Sequence, residues 1–82
     1  MDVKYLNYIL AIANRHNMTK AAEDLFVSQS SLSQYLSRLE QELGTPLFVR
    51  SKNELSLTPA GTLYVEAAQK VIEIQKELYR SI

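Results

Sequence analysis

Between residues 28 and 37 the chain places five serines, with two glutamines among them: Ser28-Gln29-Ser30-Ser31-Leu32-Ser33-Gln34-Tyr35-Leu36-Ser37. Hydroxyls and carboxamides both donate and accept hydrogen bonds without carrying charge. No acidic residue occurs from Leu25 to Leu39. Leu32, Leu36, Leu39 and Leu43 recur at helical spacing, so an apolar stripe backs this polar bank. A solvated helix face would normally use Glu and Lys, which favour helix more than serine does. A carboxylate-free bank of hydrogen-bonding groups suits the base edges of a DNA major groove, where Gln29 and Gln34 could each pair bidentately with adenine. The plainer reading, a solvated surface, leaves the serine propensity penalty without a purpose.

Other chemistries find little here. The 82 residues contain no cysteine, which removes disulfides, thiolate zinc sites and thiol nucleophiles. His16 is the single histidine, with no second ligand at metal spacing, so it reads as a helix terminator and no metal or other cofactor is expected. No serine belongs to an oriented Ser–His–acid set and no glycine-rich phosphate loop exists, so the chain is not expected to be an enzyme. No apolar run approaches a membrane span, and Met1-Asp2-Val3-Lys4 lacks a signal-peptide pattern; a cytoplasmic protein with no membrane partner is the expectation. Nine basic residues balance nine acidic ones. A nucleic-acid binder usually carries a basic excess, but its contact face needs only a local imbalance.

The elements that would position the polar bank follow from caps and periodicity. Asp2 can cap a first helix running to about Arg15, with Tyr5, Leu6, Ile9, Leu10, Ile12 and Ala13 on its apolar face. His16-Asn17 breaks it: histidine tolerates left-handed backbone, and Asn17 can cap a second helix. That helix spans about 18–26 and turns Ala21, Ala22, Leu25 and Phe26 inward. Ser28 caps the third, with Val27 stapled onto Leu32, and Gly44 with Pro46 ends it. Leu47-Phe48-Val49 and Leu55-Ser56-Leu57 predict two short strands around a Ser51–Glu54 tip, a hairpin that must lean on the helices. Thr58 and Pro59 start a last helix reaching about Ser81, ~33 Å at 1.5 Å per residue. Leu63, Ala67, Val71, Ile74 and Leu78 form one apolar stripe on it; Tyr64, Ala68, Ile72 and Tyr79 form another. A core of about 60 residues cannot cover both, so a homodimer seam is expected, with Tyr8 and Ile12 of the first helix contributing. The predicted fold is mainly α: a winged helix-turn-helix over 1–58 and a dimerisation helix over 59–82, in one structural unit.

Taken together, Ala21-Ala22 with Leu25, Val27-Ser28-Gln29, Leu32-Ser33, Leu39-Glu40, Glu42-Leu43-Gly44-Thr45-Pro46-Leu47-Phe48 with Arg50, and Leu57-Thr58-Pro59-Ala60-Gly61 resemble the N-terminal DNA-binding domain of LysR-type transcriptional regulators. The resemblance covers essentially the whole chain. It implies sequence-specific binding of double-stranded DNA by a bacterial regulator, as a homodimer on an interrupted palindrome. A ligand-binding domain normally follows in that family, and an effector would bind there. By this resemblance Gln29, Ser30, Ser33 and Gln34 face the major groove, with Ser37 on the same helix. Thr19, Ser28, Ser31 and Arg50 approach phosphates, with Lys20 beside them, and Lys52-Asn53 reaches the minor groove. Three positions depart from the commoner pattern: Ser30 replaces Pro, and Gln34 and Asn53 each replace Arg. Two guanidinium groups are thereby lost, leaving Lys52 part of the wing's role. Tyr35 either packs at the helix edge or reaches a phosphate. The competing function is a winged-helix protein–protein module in which the serine face docks a partner, a reading kept open by the zero net charge.

Overall fold

The computed structural model describes residues 3–82 and orders them as α1 (Val3–Arg15), α2 (Met18–Leu25), α3 (Gln29–Leu43), β1 (Phe48–Ser51), β2 (Glu54–Leu57) and α4 (Pro59–Ser81). The expected Asp2 cap lies outside the described residues. Each other cap forms as its residue type requires. The Asn17 side chain accepts from Lys20 N at 2.8 Å, Ser28 Oγ from Ser31 N at 3.1 Å, and Thr58 Oγ1 from Gly61 N at 2.9 Å. These bonds satisfy backbone donors that a helix start leaves without a partner. Gly44, at φ +74, closes α3: its N–H and that of Thr45 both donate to Glu40 O.

Ile9, Ile12, Leu32 and Leu47 are the largest fully enclosed side chains, joined by Met18, Ala21, Ala22, Leu36, Phe48 and Leu55. Small Ala21 and Ala22 let the helices close over the leucine stripe of α3. The hairpin is tied to that core by the Glu40 carboxylate, whose Oε2 accepts from Leu47 N at 2.6 Å and Phe48 N at 3.3 Å. A single side chain at the end of α3 thus satisfies two backbone donors where the chain enters the wing.

Several expectations need correction. Phe26 does not face inward. It stands just past α2 at φ +58 and is 96% exposed, because the reversal that ends α2 swings its side chain out while Val27 turns in. Leu43 leaves the buried stripe and is 45% exposed, in the last turn of α3. Leu47 precedes the first strand, its N–H taken by Glu40. The tip is tighter than predicted: Ser51 pairs with Glu54, so only Lys52 and Asn53 turn the chain, with Lys52 at φ +57. Two-residue hairpins favour such positive φ because it matches strand twist.

Two expected seam residues belong to the monomer's own core. Ile12 is completely enclosed and Ala68 is 2% exposed, both withdrawn from any partner. Tyr8 and Tyr64 are half-buried and packed on the core. Tyr8 meets Tyr5 and Tyr35 edge-on, with ring centroids at 5.2 and 5.4 Å; Tyr5 stacks on Tyr35 at 4.8 Å. Tyr35 therefore packs at the helix edge and does not reach toward a phosphate. Burial, helped by the neighbouring Tyr64 hydroxyl, pushes the Tyr35 phenol up to about 12, and burial likewise raises Tyr64. A folded phenol harder to ionise than an unfolded one contributes stability that is fully present below about pH 10, and this is lost as pH rises toward 12. In a titration at 295 nm, one late-ionising component should disappear in Tyr35→Phe; an unchanged profile would place that phenol in water.

Candidate nucleic-acid interface

The turn between α1 and α2, the start of α3 and the wing meet at one cleft. Asn17, Met18, Thr19, Gln29, Arg50, Lys52, Asn53, Glu54 and Leu55 line it. Residues from three separated stretches of sequence are brought together because α2 and α3 start beside each other and the hairpin folds back toward α1.

Gln29 holds the central position. It is the first residue of α3 and is exposed, and its amide has one partner within the chain: Thr19 Oγ1 donates to Gln29 Oε1 at 2.8 Å. The bond draws the amide oxygen toward Thr19 on α2. Oε1 keeps a second lone pair, so the amide can still accept one bond and donate another, which is what an adenine edge requires. The single hydroxyl hydrogen of Thr19 is spent in this bond. Thr19 is therefore better placed to orient Gln29 than to donate to a phosphate, its expected role.

Ser28 and Ser31 are similarly engaged. Ser28 Oγ donates to Ser31 Oγ at 2.8 Å while accepting from its backbone N–H, so between them one hydroxyl hydrogen remains for an outside acceptor. Ser30, Gln34 and Ser37 are exposed along α3 and Ser33 is half-buried. Ser33, Gln34, Ser37, Arg38 and Gln41 share one shallow depression. Arg38 was absent from the expected set, although its position one turn beyond Gln34 puts it on the same face. It returns a guanidinium to the helix that lacks one at residue 34.

The positive charge lies around this face. Arg50 and Lys52 stand on the wing, exposed, and Arg15, His16, Asn17 and Lys20 form the other wall of a second cleft against Ser51–Glu54. Arg15 is paired with Asp24 at 3.6 Å on the surface, which leaves Lys20, Arg50 and Lys52 as the principal cations here. Glu54 is the one carboxylate lining either cleft. The acids that balance the charge lie elsewhere, with Glu66, Glu73 and Glu77 on α4. Among the described residues no cluster of His, Cys, Asp or Glu could hold a metal, and no helix is long and apolar enough to cross a membrane.

A winged helix-turn-helix with this face and an appended long helix defines a class of DNA-binding module. Residues 3–62 match the family of bacterial regulatory helix-turn-helix proteins, lysR family. The chain belongs to this family. It is 44% identical over 82 residues to the transcriptional regulator YcgK of Bacillus subtilis, covering all of this chain and 25% of YcgK. Over 70 residues it is 49% identical to BudR of Raoultella terrigena, covering 84% of this chain and 24% of BudR. The chain thus spans about a quarter of the length of these two relatives. Two solved structures superpose closely along 99% of it: a CbnR DNA-binding domain–DNA complex (TM-score 0.89, 33% identity, 93% of that chain) and a BenM DNA-binding domain with catB site 1 DNA (TM-score 0.91, 30% identity, 90% of that chain).

Proposed function

We propose that this chain is the sequence-specific, double-stranded-DNA-binding part of a bacterial transcription regulator, acting as a homodimer on two half-sites of an interrupted palindrome. The observation that carries this reading is the placement of Gln29. An amide hydrogen-bonded to Thr19 stands at the leading end of α3, with Arg50 and Lys52 across the same cleft. Gln29, Ser30, Ser33 and Gln34 read base edges, and Ser37 and Arg38 extend the face. Lys20, Ser28, Ser31 and Arg50 lie along the phosphates, and Lys52 with Asn53 meets the minor groove. Thr19 orients Gln29. The solved complexes of the CbnR and BenM domains with DNA support the same use of this fold.

Residues 59–82 form the linker and dimerisation helix. Leu63 is 70%, Ile74 66%, Leu78 55% and Tyr79 72% exposed, with Ala67 exposed and Val71 half-buried beside them. With Ile12 and Ala68 left out, the seam is the stripe of Leu63, Ala67, Val71, Ile74 and Leu78, with Tyr79 exposed on the neighbouring stripe. The function is binding and positioning in the cytoplasm, with no reaction catalysed. An effector ligand, where one exists, binds a C-terminal domain of the whole regulator.

Binding to mixed genomic fragments at several salt concentrations separates this reading from a protein-docking module. Neutralising each phosphate contributes about −0.9 to the log–log slope, so a slope of several units is expected. A flat response, or no binding at low salt, favours the docking module.

A further inference from the structure

We propose that His16 is a positioning residue for the wing, its imidazole supplying a hydrogen-bond donor that the backbone there cannot. The inference rests on the reading that the wing meets DNA.

The need for that donor begins in the hairpin. Ser51 and Glu54 close the two-residue turn, and Arg50 sits opposite Leu55 one step behind them. Hydrogen-bonded and non-bonded pairs alternate along an antiparallel ladder. At the second pair, the N–H and C=O of Leu55 therefore point away from β1. Leu55 is only 5% exposed, so both groups need partners within the protein. A third strand would offer one residue's C=O and N–H together. His16 offers only the first: its C=O accepts from Leu55 N at 3.0 Å, while its own N–H donates to Ile12 O at 2.9 Å, closing α1. The missing donor comes from the ring, whose Nδ1 lies 3.0 Å from Leu55 O. Left-handed backbone at φ +54 lets the carbonyl and the ring face the same strand.

A reciprocal pair across 39 residues thus joins the α1–α2 junction to the edge of the wing. On one side of it stand Asn17, Thr19 and Lys20; on the other stand Arg50 and Lys52. The clamp sets the separation between the cations of the wing and the groups of the helix-turn-helix, which a rigid duplex requires to be fixed. It also imposes a tautomer: in the neutral ring the proton sits on Nδ1 and Nε2 is bare.

Two substitutions isolate the ring from the backbone. His16→Gly accepts the left-handed conformation without strain and keeps the carbonyl but removes the donor. His16→Asn also tolerates that conformation and places an amide N–H where Nδ1 was. Both variants and Lys52→Gln are compared with the unaltered chain for binding to a DNA fragment across a salt series. Nitrogen NMR of the histidine ring gives the tautomer independently. The expected results are an Nδ1–H ring in the unaltered chain, an affinity loss of about two- to tenfold in His16→Gly, and a shallower salt slope resembling that of Lys52→Gln. His16→Asn should recover most of the loss, and combining His16→Gly with Lys52→Gln should add little. An Nε2–H ring, or a His16→Gly variant with a full salt slope where Lys52→Gln has lost slope, overturns the inference alone. A Lys52→Gln variant that binds unchanged removes the wing from DNA, and the inference falls with that reading.

Discussion

Replacing Gly61 with alanine is expected to lower the melting temperature of the domain by roughly 4–16 °C. Gly61 lies in the first turn of α4 and is buried against the chain that enters the wing. A Cβ there would overlap Leu47 O well inside van der Waals contact, and would stand 3.0 Å from both Leu47 C and Leu57 Cδ2. The obstructing atom is backbone, so no rotamer change relieves the clash. Leu47 O is also committed, accepting from Thr58 N at 3.0 Å, while Thr58 Oγ1 donates to Pro46 O at 2.7 Å. Moving α4 away would break the junction that seats it on the wing. Overpacking of this kind costs about 1–3 kcal/mol, sometimes more, offset by at most ~1 kcal/mol of helix propensity. For a domain this size each kcal/mol shifts melting by roughly 4–8 °C. Calorimetry or circular dichroism checks it, and unchanged melting would mean that α4 does not lie so close.

A charge in the exposed stripe of α4 should act on assembly and leave the monomer folded. Ile74 is 66% exposed and lies beyond Ala68, the last fully buried residue of the helix, so Ile74→Glu removes little from the monomer's core. In a two-fold seam the substitution appears once per protomer and buries a charge without a partner, at a cost of roughly 3–5 kcal/mol when a pairing charge is absent. Such a loss raises the dimer dissociation constant by about a hundredfold or more. Sedimentation should show monomers at concentrations where the unaltered chain is dimeric, with helical content retained. Dimers of undiminished stability would remove Ile74 from the seam.

What the sequence made legible was local. Asn17, Ser28 and Thr58 cap helices because a short polar side chain can reach a donor three residues on, a relation contained within four residues of chain. Gly44 and Pro46 ended α3 by the same logic. The family motifs drew the candidate DNA face, and the structure brings Thr19, Gln29, Arg50, Lys52 and Asn53 of it to one cleft, with Ser33, Gln34 and Ser37 in a separate depression along α3. What stayed hidden depends on where elements end against one another. Phe26 and Leu43 continue apolar patterns but lie where the helix has turned or run past its neighbours. Ile12 and Ala68 satisfied a seam pattern equally well as a core pattern, and only the packing of α1 against α4 distinguishes them. The Thr19–Gln29 bond and the His16–Leu55 pair span 10 and 39 residues, and no periodicity marks either. Arg38 stands four residues after Gln34, at helical spacing, as the one charge within an otherwise polar stretch.

The central claim is that a face of α3 without carboxylates, led by Gln29, reads bases while the wing and its surroundings hold the phosphates. Measuring Gln29→Ala and Arg50→Ala against both a selected operator and random DNA, over a range of salt, tests it most directly. Gln29→Ala should lose about 1–3 kcal/mol on the operator and almost nothing on random DNA. Arg50→Ala should weaken both equally and reduce the salt slope by about 0.9. Two variants with the same losses on both DNAs, or a Gln29→Ala variant that discriminates as well as the unaltered chain, would contradict the account.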